Sequence, residues 1–301
     1  MKTVQMRAFD AVARCGGIRA AARQLGLTQP ALTKSIKELE NSLGVQLLHR
    51  GSRGVELTTA GQQLLVRVRA ALREIQQAES DMQAYANRSI GQVSLSISPM
   101  LGEIIFPSAF QAFRKTLPDV SVKLVEAYAT SVSGMIAEGE IDFALVLLPN
   151  REQAANLKTE HWLNVGHKIV ARKSHPLNGP VDLQDLLQQE WLITNRAAGG
   201  QFAILSHLCA ERGCDLPRGL TEIPSLSLLR ATLRETDSIS IAPVLPNTPG
   251  AENFKSLECL ALPDLHRGFG VVSSANSDLS TSARVMKELL HKACMRLMKS
   301  A

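Results

Sequence analysis

The chain has 301 residues, more than one ordinary domain needs, so two domains are the starting expectation. Hydrophobic residues at 45% and charged residues at 20% are the balance of a globular protein rather than a disordered one. Aromatics at 4% leave few stacking surfaces for single-stranded nucleic acid. The longest strongly apolar run, 143–148, falls far short of the roughly 20 residues of a membrane span. Arg7, Asp10 and Arg14 interrupt the opening segment, which has no signal-peptide core, so a cytoplasmic location is expected. Five scattered cysteines (Cys15, Cys209, Cys214, Cys259, Cys294) without a CxxC pair suit reduced thiols in that compartment.

The net charge of +5 is unevenly placed. Residues 1–54 hold nine basic side chains (Lys2, Arg7, Arg14, Arg19, Arg23, Lys34, Lys37, Arg50, Arg53) against three acidic ones (Asp10, Glu38, Glu40). The head therefore carries +6 and the other 247 residues −1. A small basic head on a near-neutral body is the footprint of a module that meets phosphates, although a chance surface excess would look the same by charge alone.

Val4, Met6, Phe9, Ala11 and Val12 set an apolar face at helical spacing, and Gly16-Gly17 ends that helix. A short second helix over 19–25, rich in Ala20, Ala21 and Ala22, closes at Gly26; its small residues permit the close approach a helix-turn-helix core requires. Thr28 caps a third helix with Pro30 in its first turn, where N–H groups lack intrahelical partners in any case. Ala31, Leu32, Ile36, Leu39 and Leu43 form its buried face, leaving Gln29, Thr33, Lys34 and Lys37 outward. That set suits a major groove. Gln pairs bidentately with adenine, Thr meets a thymine methyl or a polar edge, and Lys reaches guanine or phosphate. Two short extended runs around Gly51-Ser52-Arg53-Gly54 read as a hairpin wing, with Arg53 at a tip that suits a narrow minor groove.

The stretch 16–61 closely resembles the winged helix-turn-helix of LysR-type transcriptional regulators. The resemblance rests on Ala20-Ala21, Leu25, Thr28-Gln29-Pro30-Ala31-Leu32, Ile36, Leu39-Glu40, Leu43-Gly44, Leu47-Leu48, Arg50 and Leu57-Thr58-x-Ala60-Gly61. Two positions depart from the family pattern: Leu48 stands where an aromatic is usual, and Gly17-Ile18-Arg19 replaces a small-hydroxyl, Phe, Thr pattern. The second departure exchanges a hydroxyl phosphate contact for an Arg one. The expected DNA-contact set is Arg19, Thr28, Gln29, Pro30, Thr33, Lys34, Lys37, Arg50 and Arg53.

Thr58 or Thr59 caps a long helix running to about Asn87, roughly 45 Å at about 1.5 Å per residue. Leu65, Val68, Leu72, Ile75, Glu79, Met82 and Ala86 follow the alternating three- and four-residue steps of a coiled-coil seam, interrupted at Glu79. The alternatives are burial in the chain's own core or pairing between two chains. The charged Arg67, Arg69, Arg73, Glu74 and Asp81 on the other faces favour pairing. The resemblance implies an antiparallel linker-helix dimer, assembly into a homotetramer, binding to an inverted-repeat operator in double-stranded DNA, and RNA polymerase as a further partner. Residues 88–91 read as the hinge into the body.

From Val93 short apolar strands (93–97, 120–125, 143–148, 168–171, 191–194, 238–241, 269–272) alternate with helices such as 103–117 and 132–138, a pattern that predicts parallel sheets with ligands beyond strand C-terminal ends. Leu117-Pro118-Asp119-Val120, Gly139-Glu140-Ile141-Asp142-Phe143-Ala144-Leu145, His175-Pro176-Leu177 and Leu279-Ser280-x-x-Ala283-Arg284 extend the resemblance across the body. The implied fold is α/β: an N-terminal winged helix-turn-helix (1–58), a linker helix and hinge (59–90), and an effector domain (91–301) like a periplasmic solute-binding protein. Its subdomains are placed at about 91–162 with 267–301, and about 163–266. The cleft between them is expected to hold a small-molecule effector. Ser98, Pro99, Met100, Thr130, Ser131 and Leu147 lie on one side, and Thr194, Asn195, Gly200, Gln201, Phe202, Ser225 and Pro243 on the other. Hydroxyls, amides and helix N-termini favour a small organic or aromatic anion, with no Arg placed in the cleft.

No GxSxG, Walker A or HExxH motif is present, and Gly268-Phe269-Gly270 lacks the rest of a dinucleotide fingerprint. No catalytic residue, metal site or cofactor is expected, which sets aside an enzyme or an exported solute-binding protein as rival readings. Cys209 and Cys214 are the one redox-capable constellation, and that use requires a low thiol pKa.

Overall fold

The structure is a computed structural model that describes residues 1–51, 54–85, 91–149, 154, 157–196, 200–259 and 265–299. The chain divides into two compact units, Met1–Arg88 with Ala137–Glu140, and Ser89–Ile136 with Ile141–Ala301.

In the first unit, α1 (Thr3–Cys15), α2 (Ile18–Gln24) and α3 (Gln29–Leu43) precede a hairpin of β1 (Leu48–Gly51) and β2 (Gly54–Leu57), then the 27-residue α4 (Thr59–Tyr85). Phe9, Ala8, Ala11, Ala21, Leu32 and Leu39 are fully buried at the centre of this unit. The alanines of α2 let α1 and α3 close around them. The hairpin is antiparallel, pairing Leu48 with Leu57 and Arg50 with Val55. Ser52 and Arg53 at the turn tip, and residues 88–90 of the expected hinge, lie outside the described residues.

Two polar contacts set the angle between α3, the hairpin and α4. Glu40 Oε1 accepts from the backbone N–H groups of Leu47 and Leu48 at 2.8 and 3.2 Å, pinning the chain as it leaves α3. Thr58 is the cap of α4: its hydroxyl accepts from Gly61 N at 3.0 Å and donates to Gln46 O at 2.8 Å. Gly61 is obligatory, because a Cβ there would stand 2.2 Å from the Leu47 carbonyl oxygen. The Leu39-Glu40 and Thr58-x-Ala60-Gly61 motifs thus encode one joint.

The seam on α4 is divided. Val68 is buried in the core of the first unit, and Leu65, Leu72 and Ile75 pack against the same cluster. Leu65, Leu72 and Ile75 are only part-buried, so the stripe packs on its own unit while keeping apolar surface for pairing between chains. α1 lies along α4 and covers Val68 most completely. Val66 and Met82 stay exposed on α4, at 58% and 61%.

In the second unit, β3 (Gly91–Ile97), α5 (Pro99–Thr116), β4 (Val120–Glu126), α6 (Ala129–Glu138) and β5 (Phe143–Leu147) make one half. β6 (Leu157–Arg172) crosses to the other, where α7 (Leu183–Leu187), β7 (Trp191–Ile193), α8 (Gly200–Arg212), β8 (Leu220–Glu222), α9 (Leu226–Glu235), β9 (Ile239–Val244) and β10 (Phe254–Leu257) follow. β11 (Leu265–Ser274) returns the chain, and α10 (Thr281–Lys299) packs beside α5. The strand order is β4-β3-β5-β11-β6-β9-β7-β8, with β10 paired to β6.

The sheet is mixed, not parallel throughout as strand–helix alternation predicts. β3 pairs parallel with β4 and β5, and β7 with β8 and β9, whereas β5–β11, β11–β6 and β6–β9 are antiparallel. Each half keeps its own core: Leu95, Ile105, Phe113, Met286 and Leu290 in one, Ile169, Leu186, Trp191, Leu205 and Ile239 in the other. β6 exceeds the predicted 168–171 because His161, Asn164 and Gly166 break its apolar alternation; its pairing with β11, not its hydrophobicity, extends it. A bulge in that pairing falls at Phe269/Gly270, where a Cβ on Gly270 would meet the Glu160 carbonyl oxygen at 1.9 Å.

The His175-Pro176-Leu177 motif has a structural role. His175 is buried, its Nδ1 accepting from Leu177 N at 3.1 Å and its Nε2 lying 2.9 Å from Asp237 O. With Nδ1 an acceptor, the proton resides on Nε2 and is donated to that carbonyl. The imidazole thereby joins the end of β6 to the approach to β9.

Candidate functional site

α3 presents an open groove of about 620 Å³ lined by Gln29, Pro30, Thr33, Lys34, Lys37, Glu38 and Asn41. The Thr28 hydroxyl accepts from Ala31 N at 3.3 Å, which starts the helix so that Gln29 and Pro30 occupy its first turn, exposed. Thr33 donates its hydroxyl proton to Gln29 O at 2.9 Å, leaving oxygen lone pairs and the methyl group outward. Lys34 stands 4.0 Å from Glu38, a loose pair at 79% and 50% exposure that leaves the ammonium free to turn to a phosphate. Five expected contact residues, Gln29, Pro30, Thr33, Lys34 and Lys37, are thus on one face. Glu38 and Asn41 join them there, one and two turns beyond Lys34, a placement their helical spacing already carried. Arg19 is exposed on α2. Arg50 is on β1, opposite Val55.

The expected effector residues are distributed over element ends in the two halves of the second unit. Ser98 caps α5 by position without a side-chain capping bond, Pro99 is buried behind it, and Met100 packs on the core below. Thr130 and Ser131 are in the first turn of α6, where the Ser131 hydroxyl donates to Tyr128 O at 3.0 Å. Leu147 ends β5 opposite Phe269. Across the junction, Gln201 Oε1 accepts from Thr194 N and the Thr194 hydroxyl at 2.8 and 3.1 Å, while its Nε2 donates to Ser240 Oγ and Ile241 O. That amide is fully engaged in fastening α8 to β7 and β9. Gly200 opens α8 with Phe202 in its first turn, Asn195 follows Thr194 after β7, and Pro243 is on β9 opposite His167. Ser225 caps α9, accepting from Leu228 N at 3.3 Å.

Tyr128, Glu103 and Arg230 complete the junction and were not singled out by sequence. The Tyr128 hydroxyl hydrogen-bonds with Thr194 and lies 3.5 Å from Pro224 O, so it spans the halves. Burial raises its pKa above the ordinary tyrosine value; the Thr194 bond opposes this and the Glu126 charge adds to it. Arg230 of α9 pairs with Glu103 of α5. No motif marks these three, because each meaningful partner lies at least 66 residues away.

Cys209 is buried and Cys214 half-buried, with the Cys214 thiol directed at Cys209 O at 3.6 Å. Burial, reinforced by Cys214, pushes the Cys209 thiol up to about 11. It is a protonated thiol at neutral pH, the opposite of the activated thiolate that redox sensing requires. Among the described residues no group of His, Cys, Asp or Glu side chains is arranged to hold a metal ion, and no helix is long and apolar enough to cross a membrane.

A helix-turn-helix head with an open polar groove, followed by a two-halved α/β body, defines a class of DNA-binding regulator controlled by a small molecule. The family model for bacterial regulatory helix-turn-helix proteins of the lysR family matches residues 3–62, and that for the LysR substrate binding domain matches residues 86–295. The chain belongs to the LysR family and is a DNA-binding transcriptional regulator with an effector-binding domain. It is 27% identical to the HTH-type transcriptional regulator TdcA of Escherichia coli K12 over 292 residues, covering 96% of this chain and 92% of that one. It is also 27% identical to the HTH-type transcriptional regulator GalR of Pseudomonas putida, covering 97% and 72%. Among solved structures, a single-residue variant of full-length OxyR from Pseudomonas aeruginosa superposes with a TM-score of 0.68 at 20% identity, covering 98% of this chain and 94% of that one. CbnR in complex with its target DNA superposes with a TM-score of 0.63 at 19% identity, covering 97% and 100%.

Proposed function

We propose that this regulator works in the cytoplasm as a homodimer, and as a tetramer of two dimers, on an inverted-repeat operator. Gln29, Pro30, Thr33 and Lys34 read the major groove, while Arg19, Thr28, Lys37, Arg50 and Arg53 hold backbone or minor groove. The observation that carries this reading is the single exposed face of α3 on which glutamine, threonine and lysine side chains line one open groove. The CbnR structure bound to its target DNA supports it by fold. Residues 1–58 act as the DNA-binding head and 59–90 as the linker and hinge. Val66 and Met82 supply exposed apolar surface for pairing on α4.

Residues 91–301 act as the effector domain, with subdomains at about 91–162 plus 267–301 and about 163–266. The effector is a small organic anion held between them by Ser98, Thr130, Ser131, Thr194 and the start of α9. The reading is tested by salt titration of binding to a duplex carrying the gene's own upstream region, against a random duplex. The expected result is a specific excess of about 10³ or more with a steep fall as salt rises. Equal affinity for both duplexes would overturn operator reading. Ser98→Ala is expected to abolish the effector response while leaving operator affinity intact.

A further inference from the structure

Arg230 on α9 forms an ion pair that joins the two halves of the second unit. Its Nη1 donates to Glu103 Oε2, and the two side chains are 17% and 34% exposed. Its Nη2 is buried and has no hydrogen-bond partner among the described residues. A guanidinium offers parallel N–H groups that match both oxygens of one carboxylate, yet Glu103 engages only one of them. A buried donor without an acceptor is an unfavourable arrangement that a bidentate anion would relieve.

The surroundings suit such an anion. Arg230 is in the second turn of α9, whose N-terminus meets the same junction: the Tyr128 hydroxyl of the other half lies 3.5 Å from Pro224 O, immediately before the Ser225 cap. The positive end of that helix dipole and the guanidinium thus act on one side of the junction. Elsewhere on the junction the Tyr128 hydroxyl meets Thr194.

We propose that Arg230 anchors the carboxylate of the effector, and that Glu103 is an internal stand-in which the ligand displaces. This rests on the reading that an anionic effector binds between the halves. Displacement replaces a direct α5–α9 ion pair with a ligand-mediated one, so occupancy alters how the two halves are joined.

The test uses the full chain at constant ionic strength, with benzoate and propanoate as probes and benzamide and propanamide as neutral isosteres, read by calorimetry and thermal shift. Glu103→Gln frees the fork, so it is expected to bind at least one carboxylate tenfold or more tighter than the wild type while its amide stays weak. Arg230→Met is expected to lose that binding, and Arg230→Lys to restore part of it. Should Arg230→Met fail to fold, as judged by circular dichroism, the Glu103→Gln and Arg230→Lys arms still decide. Carboxylate binding equal in wild type, Glu103→Gln and Arg230→Lys would overturn Arg230 as anchor while leaving an anionic effector in place. Tighter binding of the amides than of the carboxylates, or no binding of either carboxylate to Glu103→Gln at millimolar concentration, would overturn the anionic effector as well.

Discussion

Asp10 on α1 accepts a hydrogen bond from Arg69 Nε on α4 at 2.9 Å, and both side chains are only 12% exposed. Arg14, one turn along α1, shares the same carboxylate at 2.9 Å. An acidic residue on the largely apolar face of α1 is thus the tie between the three-helix head and the helix that leads away from it. Removing it leaves Arg69 buried without this acceptor.

Asp10→Ala is expected to destabilise the first unit by about 1.5–3 kcal/mol, the usual worth of a hydrogen bond to a charged group. Both tryptophans, Trp162 and Trp191, are in the second unit. Urea unfolding followed by circular dichroism should therefore show an earlier helix transition, with the tryptophan fluorescence transition unmoved. Coincident shifts in both signals would show that the tie does not act locally.

Gln29→Ala and Lys37→Ala should separate reading from holding. Loss of Gln29 is expected to weaken operator binding by about 1–3 kcal/mol with little change on random DNA. Loss of Lys37 should weaken both equally and lower the salt slope by about 1. Fluorescence anisotropy on the two duplexes across a salt series measures both quantities. Equal losses on both duplexes for Gln29→Ala would remove it from base reading.

Gly61→Ala places a methyl group 2.2 Å from the Leu47 carbonyl oxygen, which accepts from Thr58 N at 3.0 Å. The backbone has to give, at the cost of about 1–3 kcal/mol typical of overpacking. Because the displaced joint carries the hairpin, DNA affinity should fall along with the stability of the first unit. A variant with wild-type melting and wild-type DNA affinity would show that the joint yields freely.

Lys287 on α10 bonds Glu160 on β6 at 2.7 Å, and that bond, ahead of the opposing effect of burial, lowers the Glu160 pKa below the ordinary value. A carboxylate lowered on folding stabilises the native state above its unfolded pKa, about 4.3, and loses that contribution as pH falls through the depressed value. The pair is part-exposed, so the effect is small. Glu160→Gln should lower the melting temperature of the second unit slightly at pH 7 and leave it unchanged well below about pH 4, where the carboxyl is protonated in both states. An equal decrease at both pH values would show that the loss is one of packing rather than charge.

The head was legible in the sequence because its determinants are local. Gly16 and Gly44 end helices, Thr28 starts one, and the outward set from Gln29 to Lys37 follows from helical periodicity over nine residues. What the α4 stripe would face was not legible. Leu65, Val68, Leu72 and Ile75 satisfy a coiled-coil spacing and a core-packing spacing equally, and the placement of α1 sets how much of each is covered within the chain. The same holds in the body. Strand periodicity locates Val93, Leu95 and Ile97, whereas the full length of β6 exists only through its pairing with β11. Glu103 meets Arg230, and Tyr128 meets Pro224, solely because the tertiary fold brings α5 and the β4–α6 turn to α9 and the segment before it. Periodicity and capping are properties of neighbours in the chain, so the sequence alone determined the helices of the head and the exposed polar face of α3. Salt bridges and hydroxyl contacts between halves act over a few ångströms in space, and the tertiary structure decided which distant residues come within that reach.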